Sequence, residues 1–484
     1  MYDVEINKER VANSFFWRML ERFFSQGIGF VVQIVLARIL LPEDFGSLAI
    51  IVAFTSYATV FVSSGISTAV IQKKGLEKTD LSTLMTYTLG MASVFYTILF
   101  FLAPLIASYY NAPLLQPTLR VLAFTLFLQG ISSVQTGLLQ RQMRFRQLFV
   151  PTMIAAPLAG ILGILLALKG FGLWALVVHT LANQLFVIIV ISFDKNCRIP
   201  LAFSRLKMKE IFPFTSKIML TYATCGLFDL VRTTMIGRRY TREDLAYYDK
   251  GLTYSGYVTM LINQSMSSVL LPAFSRKQDN VDTLKSMARR SVKVTSFVVI
   301  PILSAVAVMS KPLIMVLLTE KWLSCVPFLA IYCFLRIPGP ILNIDKQVFY
   351  ALGKSGVNLY YEIGLFICNF VALFIALKMN VMAIACGALI VEFLGMISIF
   401  IVSSKIYYYS LAERLIDMWK PICGSLVMSI TLFGLSRIGL LDIWTLCLQV
   451  FTGVVVYYLM AKVLKDDNLD YCFSIVRGAL KKNK

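Results

Sequence analysis

The stretch FFWRMLERFFSQGIGFVVQIVLARILLPEDFG, residues 15–46, decides how the rest of the chain is read. It stays apolar for about the 20 residues that a helix needs to cross a bilayer core, and it stops at Pro42, Glu43 and Asp44, residues suited to opening a new helix. Arg18, Glu21 and Arg22 stand inside the run and no small-residue cleavage site follows, so it reads as a first membrane span and not a removable signal. Similar runs recur to the far end of the 484 residues, 58% of which are hydrophobic and 15% charged, with a mean hydropathy of +0.75. Such a composition excludes a soluble domain. Apolar runs bounded by charged or turn residues predict an all-α polytopic membrane protein of about fourteen spans, from 13–37, 46–70 and 83–104 through to 421–436 and 443–461.

The formal net charge of +20 does not point to nucleic acid, because Lys and Arg gather in short connections between apolar runs, where membrane topology accounts for them. The clusters Lys73, Lys74 and Lys78; Arg141, Arg144 and Arg146; Lys195, Arg198, Arg205, Lys207 and Lys209; and the group from Arg276 to Arg290 all fall on the side of the N-terminus. The positive-inside rule then places both termini in the cytoplasm. One connection on the other side dissents, with Arg238, Arg239, Arg242 and Lys250 partly offset by Glu243, Asp244 and Asp249. The nine cysteines form no C-x-x-C pair and read as small packing residues, and the lone His179, among Val, Leu and Ala, reads as a packed residue. With no H-E-x-x-H and no glycine-rich phosphate loop, the chain lacks the parts for metal chemistry, ATP-driven transport or soluble-type catalysis. No cofactor is implied, and the expectation is a chain that is not an enzyme.

An internal repeat organises the spans. ARILLPEDFG at 37–46 is echoed by GRRYTREDLA at 237–246, LIASYYNAPLLQPTLRVLAF from 105 by LIMVLLTEKWLSCVPFLAIY from 313, and LLQRQMRF from 138 by YALGKSGV from 350. The expected organisation is therefore an N-terminal six-helix lobe over 1–200, a C-terminal six-helix lobe over 201–402, a cytoplasmic amphipathic connector over 403–420, two further helices over 421–464, and a cytoplasmic basic tail over 465–484. A repeat of six spans relates its copies by an axis along the membrane normal, and two such lobes can enclose a cavity and rock about it. That is the architecture of a transporter.

Ionisable residues inside spans cost several kcal/mol unless paired, hydrated or near an end, so each asks for a reason. Arg18 and Arg22 are four apart and share a helix face with Gln26, Gly29 and Gln33; they either face a cavity or snorkel to the interface with Glu21 alongside. Lys217 sits as far into the seventh span as Arg18 does into the first, so these three can form a basic floor for phosphate. Asp229 and Arg232 are spaced to pair on one helix face beside Thr221, Thr224 and Phe228. Arg336, Asp345 and Lys346 flank IPGPILNID, whose two prolines should break the helix, and broken helices at membrane depth line cavities. Glu362 and Glu392 are candidates to carry a coupling proton or simply to pair with a neighbouring base. The segment KIYYYSLAERLIDMWK from 405 and the tail from Leu469 both read as surface-lying amphipathic helices.

The same opening stretch, followed by SSGISTAVIQKK (63–74), LLQRQMRFRQL (138–148), GFGLWALV (170–177), FTSK (214–217) and LTEKWLSCVPFL (318–329), resembles the Wzx-type oligosaccharide flippases, in particular their WzxC-like branch. These belong to the multidrug/oligosaccharidyl-lipid/polysaccharide exporter superfamily, and the resemblance covers nearly the whole chain. It implies two six-helix lobes and two extra helices in a bacterial inner membrane, moving undecaprenyl-diphosphate-linked oligosaccharide from the cytoplasmic to the periplasmic leaflet. It also implies that Arg18, Arg22 and Lys217 meet the diphosphate. At Arg232 the chain departs from the family pattern of an Asp or Asn, so the resemblance carries no cation site to that position. The partners expected are the lipid-linked oligosaccharide and membrane lipids, with a polysaccharide polymerase and glycosyltransferases as further candidates, no nucleic acid, and a monomeric chain. A multidrug cation antiporter of the same superfamily, or a membrane enzyme of polysaccharide assembly, is the alternative. The antiporter should carry acids in its cavity; a polymerase should show a large periplasmic loop, and an acyltransferase a catalytic histidine at a membrane edge.

Overall fold

The structure is a computed structural model that describes residues 8–73, 75–194, 197–438 and 441–469. The basic tail expected over 465–484 lies outside the described residues from 470 onward. In chain order the helices are α1 Lys8–Ile39, α2 Pro42–Ser63, α3 Ile66–Gln72, α4 Lys78–Tyr109, α5 Leu115–Leu122, α6 Thr125–Arg141, α7 Arg146–Leu168, α8 Leu173–Ser192 and α9 Arg205–Arg239. They continue as α10 Arg242–Ser275, α11 Val281–Val308, α12 Ser310–Leu317, α13 Val326–Arg336, α14 Pro338–Ala351, α15 Ser355–Ala376, α16 Val381–Tyr407, α17 Leu411–Leu435 and α18 Asp442–Val463, with a 3-10 turn at Glu320–Cys325 before α13. No strand occurs among the described residues.

Among the described residues eleven helices are long and apolar enough to cross a membrane. Three are composite: α2 with α3, α5 with α6, and the 3-10 turn with α13 and α14. The expected fourteen is not reached by this measure, because α9 and α10, of 35 and 34 residues, carry too many charged and polar side chains, and the part of α1 that counts, Phe24–Ile39, is apolar but shorter than a span. Apolar side chains point outward in number, Phe101 at 70% and Val454 at 68% exposure among them, as a lipid-facing surface requires.

The repeat echoes become matching turns. Asp44 Oδ2 accepts the backbone N–H of Leu41 at 3.3 Å, and Asp244 Oδ2 accepts that of Thr241 at 3.2 Å, so the same acidic residue caps the second helix of each copy. Asn111 and Thr319, which the sequence echo aligns, both adopt left-handed backbone (φ 50° and 92°). After α6 and α14 the left-handed positions are Met143 and Gly353, two residues off the register that the sequence echo suggests.

Packing divides the chain into two units, Met1–Ala246 and Tyr247–Lys484. The division falls later than the 200/201 boundary expected from the repeat, because α9 lies along α2 for its whole length. The fit is tight: a Cβ on Gly46 would meet the Arg242 carbonyl oxygen at 1.8 Å, and Gly65, at φ +79°, lies against the Thr215 backbone. In the second unit α17 is one continuous helix, Leu411–Leu435, that takes in the second half of the connector expected over 403–420. Tyr407, Tyr409 and Arg414 are among the largest fully buried side chains, while Leu415, Ile416 and Trp419 face outward. The segment is amphipathic, but its polar face points into the protein.

Candidate functional site

In the first unit, charges gather at both ends of α9. At its start, Lys73 in the α3–α4 turn bridges Asp80 of α4 at 2.8 Å and Glu210 of α9 at 3.0 Å, and Lys207 reaches Glu77 at 3.2 Å. Asp80 is fully buried and also accepts the backbone N–H of Glu77, while Arg141 donates to the carbonyls of Val70, Ile71 and Lys73 that end α3. Burial alone would lower the Lys73 ammonium, but its hydrogen bonds to Asp80 and Glu210 outweigh this and raise it. The Lys207 ammonium holds the exposed Glu77 carboxyl below the usual range. At the far end of α9 the two capping turns of the repeat meet, with Arg242 bridged to Glu43 at 2.6 Å.

The expected basic floor is only partly visible. Arg18 and Arg22 lie on α1, but their side chains are outside the described residues. Glu21, also on α1, is partly buried. Lys217 is exposed on α9, with no carboxylate at ion-pair distance among the described residues. Asp229 and Arg232 do pair, at 2.8 Å, with Arg232 also over the Phe228 ring at 5.5 Å. His179 packs where Gly163 leaves room on α7; a Cβ there would come within 2.8 Å of it.

In the second unit the charges near the broken helix separate into two groups. Lys346 of α14 bridges Glu362 of α15 at 2.5 Å and lies over the Tyr361 ring, while Glu392 of α16 is within electrostatic reach of Lys346, Glu362 and Arg336. Asp345, one residue before Lys346, points elsewhere. It is fully buried and takes both arms of Arg414, at 3.0 and 2.6 Å, together with the hydroxyls of Ser403 and Tyr407. The Arg414 guanidinium lies between the Phe400 and Tyr409 rings, at 4.3 and 4.1 Å. Tyr409 donates to Asp417, which Arg289 of α11 grips through two further bonds of 2.8 Å. Asp345 is thus paired with Arg414.

Sequence reasoning missed Arg414, Tyr407, Tyr409 and Arg289. The available signal was the spacing of Arg414 and Asp417, three apart on the polar face of the segment read as a surface helix. Along these helices, α11, α17 and α18 line an open apolar groove of about 430 Å³, with Phe297, Met309, Met428 and Tyr457 among its walls. Its chemistry suits a hydrocarbon chain.

Known proteins resemble this chain along most of its length. It is 24% identical over 335 residues to the succinoglycan biosynthesis transport protein ExoT of Rhizobium meliloti (strain 1021), covering 67% of this chain and 66% of that protein. It is 23% identical over 439 residues to the lipopolysaccharide biosynthesis protein WzxC of Escherichia coli (strain K12), covering 89% and 88%. Among solved structures, the lipid II flippase MurJ in an inward closed conformation superposes with a TM-score of 0.75 at 16% identity, over 94% of this chain and all of that one. An inward-facing multidrug resistance transporter of the MATE family superposes at 0.63 and 15% identity, over 78% of this chain and 94% of that one. The chain has the fold of these transporters. The family described as polysaccharide biosynthesis protein matches residues 35–327, more than half of the sequence, and the chain belongs to that family.

Proposed function

We propose that this protein is a flippase that moves an undecaprenyl-diphosphate-linked oligosaccharide from the cytoplasmic to the periplasmic leaflet of a bacterial inner membrane, a step in building an O-antigen, capsule or exopolysaccharide. Membership of a polysaccharide biosynthesis family supports this, as do relatives named for succinoglycan transport and lipopolysaccharide biosynthesis and a fold shared with a lipid II flippase. Both termini face the cytoplasm, and the six-helix repeats over 1–200 and 201–402 rock to expose the head group first to one side and then to the other.

The observation that carries the reading is Lys217. An ammonium some three turns into a long helix, with no carboxylate among the described residues to neutralise it, costs several kcal/mol unless water or an anion meets it. A diphosphate is such an anion, and Arg18 and Arg22 on one face of α1 supply the forked contacts that a lysine cannot. Arg232 and Lys346 are already engaged with Asp229 and Glu362, so they contribute less to this floor.

The test is a proteoliposome assay that follows a fluorescent lipid-linked oligosaccharide with a membrane-impermeant reagent. Lys217→Ala should slow transfer about tenfold, the loss of about 1.4 kcal/mol of ionic contact, and Lys217→Arg should retain most of it. Full-rate transfer by the alanine variant sinks the basic floor. A wild type that moves organic cations but no lipid-linked sugar sinks the flippase reading.

A further inference from the structure

Arg238, Arg239 and Arg242 occupy the side of the membrane that the positive-inside bias keeps poor in Lys and Arg. Two of them line a polar cavity of about 510 Å³, built by Glu43 where α2 starts, Tyr110 and Asn111 where α4 ends, and Arg238, Arg242 and Glu243 at the α9–α10 turn. The volume falls in the range of ordinary small-ligand sites.

The walls of this cavity are fixed. Arg242 is bridged to Glu43, and the Tyr110 hydroxyl donates to the Thr234 carbonyl at 3.3 Å. Arg238 is exposed and lies beside the Tyr109 ring at 5.0 Å. Among the described residues Arg238 has no carboxylate partner and Glu243 no cationic one, and no ion pair joins the two. A guanidinium and a carboxylate that share one cavity without meeting leave space for a ligand that offers each what it lacks. Arg238 can grip a planar carboxylate with two N–H groups. Glu243 accepts hydroxyl protons, and the exposed Asn111 amide can both donate and accept. A sugar that bears a carboxylate meets all three.

We propose that this pocket binds an acidic sugar, its carboxylate on Arg238 and its hydroxyls on Glu243 and Asn111, and so receives the glycan on the side opposite the N-terminus. The direction of delivery rests on the flippase reading, whereas the binding itself does not.

The test titrates the full chain in lipid nanodiscs, by calorimetry, with a tri-glucuronate, a neutral glucose trimer and inorganic pyrophosphate. The acidic trimer should bind at least tenfold more tightly than the neutral one. Arg238→Gln should abolish that preference, Glu243→Gln should weaken both sugars, and Arg239→Gln, outside the pocket, should change neither. Equal binding of the two sugars, an Arg238→Gln variant that keeps the preference, or displacement of the acidic trimer by pyrophosphate overturns the proposal. Transfer in proteoliposomes with no acidic-sugar binding sinks the pocket alone, and binding without transfer sinks the flippase reading alone.

Discussion

Two charge clusters, one in each unit, are built in opposite ways. In the first, Lys73, Asp80, Glu210, Lys207 and Glu77 form a cluster at a helix end in which several members keep contact with solvent; Glu77 retains 59% of its side-chain exposure and Glu210 50%. In the second, Asp345 and Arg414 are both fully buried, locked in a two-pronged bond and walled by tyrosines. A cluster of many partners near water tolerates the loss of one, because water and the remaining members compensate. A single desolvated pair does not, since removing one partner strands the other in a low-dielectric interior. The first arrangement suits a contact that opens and closes, the second one that stays shut.

The contrast predicts a graded series of stability losses, read as thermal unfolding in detergent. The largest is Arg414→Met, which strands the Asp345 carboxylate and should cost about 3–5 kcal/mol, whereas the double change with Asp345→Leu should recover much of it. A single variant as stable as the parent would erase the distinction between the units. Next is Arg289→Gln, which gives up the two-pronged grip on Asp417 and should cost about 2 kcal/mol. Lys73→Met should cost at most about 1 kcal/mol, because Lys207 remains near Asp80 at 3.9 Å.

The smallest effect is that of pH on the first unit's cluster. The Glu77 carboxyl is depressed by Lys207, so its contribution is complete above the unfolded carboxylate value of about 4.3 and is lost as pH falls through the folded one. The Lys73 ammonium is raised, so its contribution is complete below about 10.4 and is lost only as pH rises through its folded value. Protection of the α3–α4 turn amides, taken relative to the unstructured exchange rate at each pH, should therefore stay flat from about pH 5 to 10 and fall below about pH 4. Protection that persists below that range would contradict it.

Much of the helical layout was legible in the sequence, because hydropathy is summed along one segment and needs no partner. The repeat was legible through Asp44 and Asp244, whose capping role is local and leaves the same acidic pair in each copy. What escaped depends on residues far apart in the chain. Asp345 and Arg414 are 69 positions apart, and Lys73 and Glu210 are 137. Nothing local to Asp345 says which base will meet it, and the amphipathic pattern at 405–420 is the same whether its polar face looks toward water or toward Asp345. The division at 246/247 was hidden for a related reason: a repeat records ancestry along the chain, whereas packing records which helix α9 now lies against.

The inward polar face of α17 bears on how the chain is made. Arg414 and Asp417 sit behind an apolar front, and Arg414 is met by Asp345 of α14, which is synthesised earlier and held by the Ser403 and Tyr407 hydroxyls of α16. A product broken off after α16 would leave the Asp345 carboxylate with two hydroxyl partners but no cation, so α17 brings the charge that the earlier helices of this unit leave Asp345 without.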